Sequence, residues 1–347
     1  MREFDSDPRG ALSSKPRVLR GSVDKTYKFG SEGWIVVQSA AKWVLRQILR
    51  VPAVRQYLQS QVADEPTIRF APPGHFYSPL PDLGQIEKEV GRLYTYPSAD
   101  DGVQLNQEEQ RRLLVALAEY HAAFDWGEQA TPGRRFFLKN NRFQHGDAVV
   151  LYAMIRHFRP QRIIEVGSGF SSALMLDTND RHGDLRMDLC FIEPYPDRLK
   201  SLLKEDDRTS ARLITAPVQE IPLAEFDALD QNDILFIDSS HVAKAGSDVN
   251  YLFFKVLPLL RHGVLIHFHD IFYPFEYPLT WLREGRAWNE MYLLRAFLQY
   301  NPAFEIVFFN SYLGHQSPEL IKEHLPLMGV NPGGSIWLRK TRHSREP

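Results

Sequence analysis

From about residue 145 onward the chain alternates short apolar runs with helical stretches, and this alternation constrains its fold more than any other feature. Compact β-branched or aromatic-rich runs occur at 163–166, 189–193, 213–215, 234–238 and 264–269, with helical stretches between them at 171–177, 196–204 and 246–261. Runs this continuously apolar read as strands buried on both faces, and parallel neighbours of that kind need crossover helices. A helix at 287–300 precedes two further strand candidates, 304–309 and 335–338. The pattern predicts an α/β fold: an open, doubly wound, seven-stranded sheet of the Rossmann-like kind, with ligand chemistry at the carboxyl ends of its strands.

Before residue 140 the texture is different. Helical patterns are expected at 34–50, 84–94 and 106–125, the last opening at Asn106 as N-cap with Glu109 three residues on. Between the first two lies PPGHFYSPLPD (72–82), whose four prolines exclude a helix interior or a central strand. An ordered, extended loop is expected there, with His75 and Tyr77 over the mouth of a pocket. The chain therefore divides into a mainly helical region, 1–140, acting as cover or oligomerisation element, and a sheet domain, 141–347.

The charge balance limits the partners. With 41 Lys+Arg against 43 Asp+Glu the net charge is −2, which argues against a nucleic-acid backbone or an anionic membrane as the main partner. A small-molecule substrate is expected instead. The single cysteine, Cys190, excludes an internal disulfide framework and any cysteine-based zinc site. The longest apolar stretch, 34–54, is broken by Gln38, Lys42, Arg46 and Arg50, which would form one polar stripe of a helix rather than a membrane span. It reads as a helix packed on the protein's own body or on a second copy in a homo-oligomer, with a membrane-surface helix as the alternative. The first 30 residues are polar and lack the apolar segment of a secretory leader, so a cytoplasmic location is expected.

The first strand runs into Glu165-Val166-Gly167-Ser168-Gly169-Phe170-Ser171-Ser172. Two glycines one residue apart permit a tight strand-to-helix turn and close approach of a ligand to the backbone. A dinucleotide fingerprint would place a third glycine at 172, where this chain has Ser172, and would not need an acid at 165. The second strand ends in Glu193, 24 residues beyond Gly169, where a carboxylate can accept two hydrogen bonds from a ribose diol. EVGSGFSS, FIEPYP, DILFIDSSH and GVLIHFHD, in that order, resemble the motifs of class I S-adenosylmethionine (SAM)-dependent methyltransferases over roughly residues 145–340. The resemblance implies that Gly167, Ser168 and Gly169 cradle the methionine part of SAM with Glu165 nearby. It further implies that Glu193 grips the ribose and that Val218 and Gln219 contact the adenine.

The fourth strand leads into Asp238-Ser239-Ser240-His241 and the fifth into His267-Phe268-His269-Asp270. Neighbouring strands would bring Asp238, His241, His269 and Asp270 to one rim, with His267 and His269 on one strand face. Two carboxylates with imidazole make either a metal centre or an acid–base pair. Asp-x-x-His followed by an acid at the next strand tip is similar to the metal-dependent O-methyltransferases acting on macrolide sugars and the cephalosporin-hydroxylase-like group. That resemblance implies Asp238 and Asp270 as metal ligands and His241 as general base, with Asp238 also serving catalysis. His269 departs from the acid expected at its position, and as a third ligand its imidazole suits Mn or Fe better than Mg. His267, deeper in its strand, reads as a hydrogen-bonded core residue. Six aromatics, Phe272, Tyr273, Phe275, Tyr277, Trp281 and Trp288, follow Asp270 and read as a substrate wall or as loop packing, with Asn289 and Glu290 as substrate candidates.

The expected activity is SAM-dependent O-methylation of a hydroxyl on a small metabolite or sugar. The alternatives are a metal-dependent, hydroxylase-like enzyme on the same fold and a non-catalytic SAM-binding module.

Overall fold

The computed structural model describes residues 70–97, 101–205, 207 and 211–341. Its contacts divide the chain into two units, 1–72 and 73–347. The helix expected at 34–50 lies outside the described residues.

Seven strands form one sheet: β1 (Arg162–Val166), β2 (Asp188–Ile192), β3 (Ala211–Ile214), β4 (Ile234–Ile237), β5 (Leu265–Phe268), β6 (Phe304–Phe309) and β7 (Ile336–Lys340). Their order is β3-β2-β1-β4-β5-β7-β6, with β7 antiparallel to both neighbours and β1 to β5 paired in parallel. Every residue of β4 and β5 is buried, as expected of strands covered by helices on both faces. The order reverses between β1 and β4, which is where such a sheet opens a crevice for a ligand.

One covering helix, His145–Phe158, has ten consecutive buried residues from Gly146 to Ile155. A helix apolar all round carries no amphipathic period, so nothing in its pattern marks it as helical despite its central position. The helix Gln107–His121 packs on it, on β6 and on the helix Pro318–His324, within the same unit as the sheet. Asn106 does not cap that helix. Its backbone is left-handed (φ 51°) and its amide donates to the Ile306 carbonyl at 3.2 Å, a tertiary bond in place of a local one. Glu109 pairs with Arg112 instead.

A buried guanidinium ties the 125–140 segment to the sheet unit. Arg135 donates to Asp177 and Asp180, both at 2.8 Å, and to Asp207 at 2.7 Å, while Asp177 also accepts the Trp126 indole N–H at 3.1 Å. Asp177 and Asp207 are themselves buried. Among the described residues, no helix is long and apolar enough to cross a membrane.

Candidate active site

The backbone ladder continues one residue past the strand ends. Gly167 N–H donates to the Ile192 carbonyl (3.0 Å), Asp238 N–H to Val166 (2.8 Å), His269 N–H to Ile237 (2.9 Å) and Glu193 N–H to Ile214 (3.0 Å). This sets Glu193, Gly167, Asp238 and His269 side by side along the carboxyl edge. Next to them lies a cleft of about 430 Å³, with Gly167, Glu193, Val218, Gln219, Ser239 and Asp248 in its lining.

Gly167 has φ +83°, and a Cβ built there would lie 1.9 Å from the Asp238 carbonyl oxygen. The glycine is therefore required by the contact between the β1 and β4 tips, whatever binds above it. Gly169 is different: its backbone is extended, and a Cβ would meet only the flexible Arg198 side chain at 3.2 Å. Its N–H donates to the Ser172 hydroxyl at 2.9 Å. Ser168 N–H donates to Glu193 Oε2 at 3.0 Å and Tyr195 N–H to Glu193 Oε1 at 2.8 Å, so the carboxylate is aimed before any ligand arrives. The Ser168 hydroxyl is buried without a partner beside this turn, a polar atom left for a bound group. Val218 is buried in the cleft wall, and exposed Gln219 donates to the Gly246 carbonyl at 2.9 Å.

Glu165 lies beneath the turn. It is fully buried, and both of its oxygens accept the hydroxyls of Ser171 and Ser172. Burial pushes its carboxyl up to about 8 despite those bonds. Its placement is that of a support for the turn and the following helix.

The second cluster is built on the β4 and β5 tips. Asp238, His241 and Asp270 each present a ligand atom, all within 4.8 Å of one another, and they form the convergent acid–imidazole group among the described residues. His241 Nε2 lies 3.2 Å from Asp238 Oδ1 and 3.6 Å from Asp270 Oδ2. His241 and Asp270 both have left-handed backbones, with φ 60°, which turn their side chains back over the strand ends. On its other side, His241 Nδ1 meets Glu290 Oε2 at 2.8 Å. His269 stands beside this trio, with Nε2 3.6 Å from Asp270 Oδ1 and its ring 5.3 Å from that of Phe143. His267 is the core residue its depth suggests. It is fully buried, stacked on Phe236 with ring centroids 3.8 Å apart, and hydrogen-bonded to the Ser335 hydroxyl at 2.9 Å.

The electrostatics follow from this packing. Burial works against a charged His241, but hydrogen bonds to Asp238 and Glu290 win, holding the ring protonated well above the usual histidine range. Burial would also raise Asp238, yet His269 and His241 together keep it below the ordinary carboxylate range. Asp270 is raised, because burial outweighs its imidazole neighbours. Burial drives His267 far down, so it stays neutral.

The aromatic segment is mixed in character. Phe275 and Tyr277 are buried, and Tyr277 is bonded through its hydroxyl to Met291 N–H (3.1 Å) and through its carbonyl to the Tyr94 hydroxyl (2.5 Å). Trp288 lies over His241 with ring centroids 4.3 Å apart and the rings tilted, and the Arg286 guanidinium lies 4.3 Å from Trp281 and 5.1 Å from Trp288. The 72–82 loop presents Phe76 (81% exposed) and Tyr77 (65% exposed), whose rings meet each other and His75 in tilted contacts. Asn289 and Glu290, the substrate candidates, are bonded within the protein: Asn289 brackets Ala243, and Glu290 is fully buried against the 239–241 loop.

The sheet order and the strand-tip geometry define a class I methyltransferase fold, and residues 164–271 match the family described as a methyltransferase domain. The chain therefore carries a methyltransferase domain. It belongs to one family with a protein of Archaeoglobus fulgidus named only "Uncharacterized protein", to which it is 33% identical over 181 residues, 51% of this chain and 81% of that one. Among solved structures it is similar to the SAH-bound methyltransferase PaMTH1 of Podospora anserina: 15% identity, TM-score 0.39, covering 76% of this chain and 98% of that one. It is also similar to CmcI solved with Mg and SAM: 18% identity, TM-score 0.35, covering 58% of this chain and 73% of that one.

Proposed function

We propose that this enzyme methylates a hydroxyl group of a small metabolite or sugar in the cytoplasm, with the acceptor oxygen seated between the sulfonium methyl of SAM and the Asp238–His241–Asp270 trio. The observation that carries the reading is the direct contact of the two sites: Asp238 offers its carboxylate to the trio while its carbonyl abuts Gly167 at the cofactor turn. A cofactor in the cleft would place its methionine part along Gly167, Ser168 and Gly169, its ribose at Glu193 and its adenine by Val218 and Gln219. The unpartnered Ser168 hydroxyl and the pre-aimed Glu193 carboxylate fit such an occupant. Methyl transfer is an in-line displacement: the acceptor oxygen forms a bond to the methyl carbon, the sulfur–carbon bond breaks, and the sulfonium becomes a neutral thioether. The hydroxyl proton goes to His241 Nε2 as general base.

One imidazole and two carboxylates also suit a divalent cation such as Mn or Fe, with Mg as the harder alternative. Asp238 and Asp270 would hold it, with His241 or His269 at its edge. When bound, the cation lowers the pKa of the acceptor hydroxyl and supplies the positive charge that lets His241 rest neutral.

The test is a panel of hydroxylated acceptors incubated with SAM labelled in its methyl group, read by label transfer and by the mass of one added CH₂. Asp238→Asn should retain SAM affinity in calorimetry and lose turnover, and EDTA should do the same to the wild type. Full turnover in Asp238→Asn would remove this residue from the chemistry. A product without the methyl increment would point to the hydroxylase-like reading.

A further inference from the structure

We infer that Trp288, Asn289 and Glu290 form a clamp on the loop carrying His241, in which Glu290 is a positioning residue that keeps the ring proton on Nδ1 and turns Nε2 toward Asp238 and Asp270. The inference rests on the proposed reaction only for what the ring does next; the orientation itself is independent of any acceptor.

His241 is held at φ 60°, a conformation that a residue with a side chain keeps only when its surroundings enforce it. The enforcement comes from three consecutive residues about fifty positions away. The His241 carbonyl accepts the backbone N–H groups of Asn289 (3.0 Å) and Glu290 (3.1 Å). Asn289 closes a two-point bracket on Ala243, accepting its N–H at 2.6 Å and donating to its carbonyl at 3.3 Å. Glu290 commits one oxygen to the Ser239 hydroxyl at 2.9 Å and the other to His241 Nδ1 at 2.8 Å. The Trp288 ring covers the imidazole at 4.3 Å, with the Arg286 guanidinium lying 5.1 Å from that indole.

The consequence is chemical. Glu290 is fully buried with both oxygens committed to the 239–241 loop, so it is not a substrate contact. The 2.8 Å bond of Nδ1 to Glu290 is shorter than either contact of Nε2 with a carboxylate, so the single proton of the neutral ring stays on Nδ1 and Nε2 is the basic atom. Nε2 is also the nitrogen 3.2 Å from Asp238 and 3.6 Å from Asp270. Glu290 thus selects which nitrogen meets the acceptor or a bound cation, and the bracket on Ala243 prevents the loop from carrying the ring away.

The experiment uses the full chain with ¹⁵N-labelled histidine. Long-range proton–nitrogen spectra report which ring nitrogen carries the proton, at a pH where the ring is neutral. Loss of one signal set in His241→Asn identifies His241 among the 12 histidines. The wild-type ring should carry its proton on Nδ1. Glu290→Gln, whose amide oxygen still accepts, should keep that form, and Glu290→Ala should lose it while binding SAM with unchanged affinity. Should the Ala variant fail to fold, the wild-type and Gln spectra decide alone. A wild-type ring protonated on Nε2, or an Ala variant that retains the Nδ1 proton, would overturn the inference. Neither result depends on methyl transfer, so failure of the acceptor panel and failure of the clamp are distinguishable.

Discussion

Gly167→Ala is a sharp test of how the turn after β1 is built. The new methyl would start 1.9 Å from the Asp238 carbonyl oxygen, against the 3.0 Å that real Cβ contacts respect, so the β1 and β4 tips must part by about 1 Å in a close-packed interior. The side chain would also sit at φ +83°, which costs an L-residue roughly 1–2 kcal/mol. Two ladder bonds are exposed to the displacement: Asp238 N–H to Val166 at 2.8 Å and Gly167 N–H to Ile192 at 3.0 Å, each contributing about 1 kcal/mol. The lower entropy of an unfolded alanine offsets only a small part of this, because the native backbone conformation is unsuited to it. Together the effects predict a loss of about 3–4 kcal/mol, a large share of the roughly 5–15 kcal/mol typical of a domain. Urea unfolding followed by circular dichroism would measure it, with an unchanged slope showing that the surface exposed on unfolding is the same. Gly169→Ala is the control: an extended backbone and a flexible arginine neighbour predict a cost below about 1 kcal/mol. A Gly167→Ala protein within about 1 kcal/mol of wild type would refute the argument that the β4 tip demands this glycine.

Two more perturbations test buried charges. Glu165 titrates near 8 in the folded chain against 4.5 for a solvent-exposed glutamate, so between those values the native state holds a proton that the unfolded state releases. Stability should therefore fall as pH rises from about 4.5 to about 8, by at most about 5 kcal/mol at roughly 1.4 kcal/mol per pK unit. Glu165→Gln should flatten that slope in thermal melts across the same window, and an unaltered slope would assign the pH dependence elsewhere. Arg135→Leu removes the cation shared by the buried carboxylates of Asp177 and Asp207, predicting a loss of about 3–5 kcal/mol in urea unfolding. A change below about 1 kcal/mol would mean that the network contributes orientation without net stability.

The strands were legible because burial on both faces leaves an uninterrupted apolar run, and each expected run overlaps an observed strand, with 304–309 matching β6 at both ends. The helix His145–Phe158 was hidden for the converse reason, since a helix buried all round has no polar face to set its period. Asn106 shows the limit of local capping rules, which cannot see a carbonyl arriving from β6 two hundred residues later. In the site, the strand-tip acids and His241 were readable from position alone. Glu290 was not: it pairs with His241 across 49 residues, through a left-handed turn that the sequence Asp-Ser-Ser-His does not announce. His269 was placed by strand alternation on the face of His267, and the rings do stack 5.8 Å apart. That same alternation points it toward Phe143, beside the opening into which His241 turns.

Under the proposed reaction, the charge count at the rim gives a reason for the trio to stand beside the Gly167 turn. Asp238, Asp270 and Glu290 surround one imidazole, and like charges this close in a partly buried site need positive charge among them. In the free protein His241 supplies it by holding its proton, the form in which it cannot accept another. If His241 is the base, as proposed, positive charge arriving from outside would free it: the sulfonium of SAM, a divalent cation at Asp238 and Asp270, or both. An isolated histidine base would run at neutral pH without such help but would be equally basic with the cofactor absent. In the proposed reaction, three surrounding carboxylates make the basicity of His241 conditional on the occupied site, and the Glu290 bond directs proton release to Nε2.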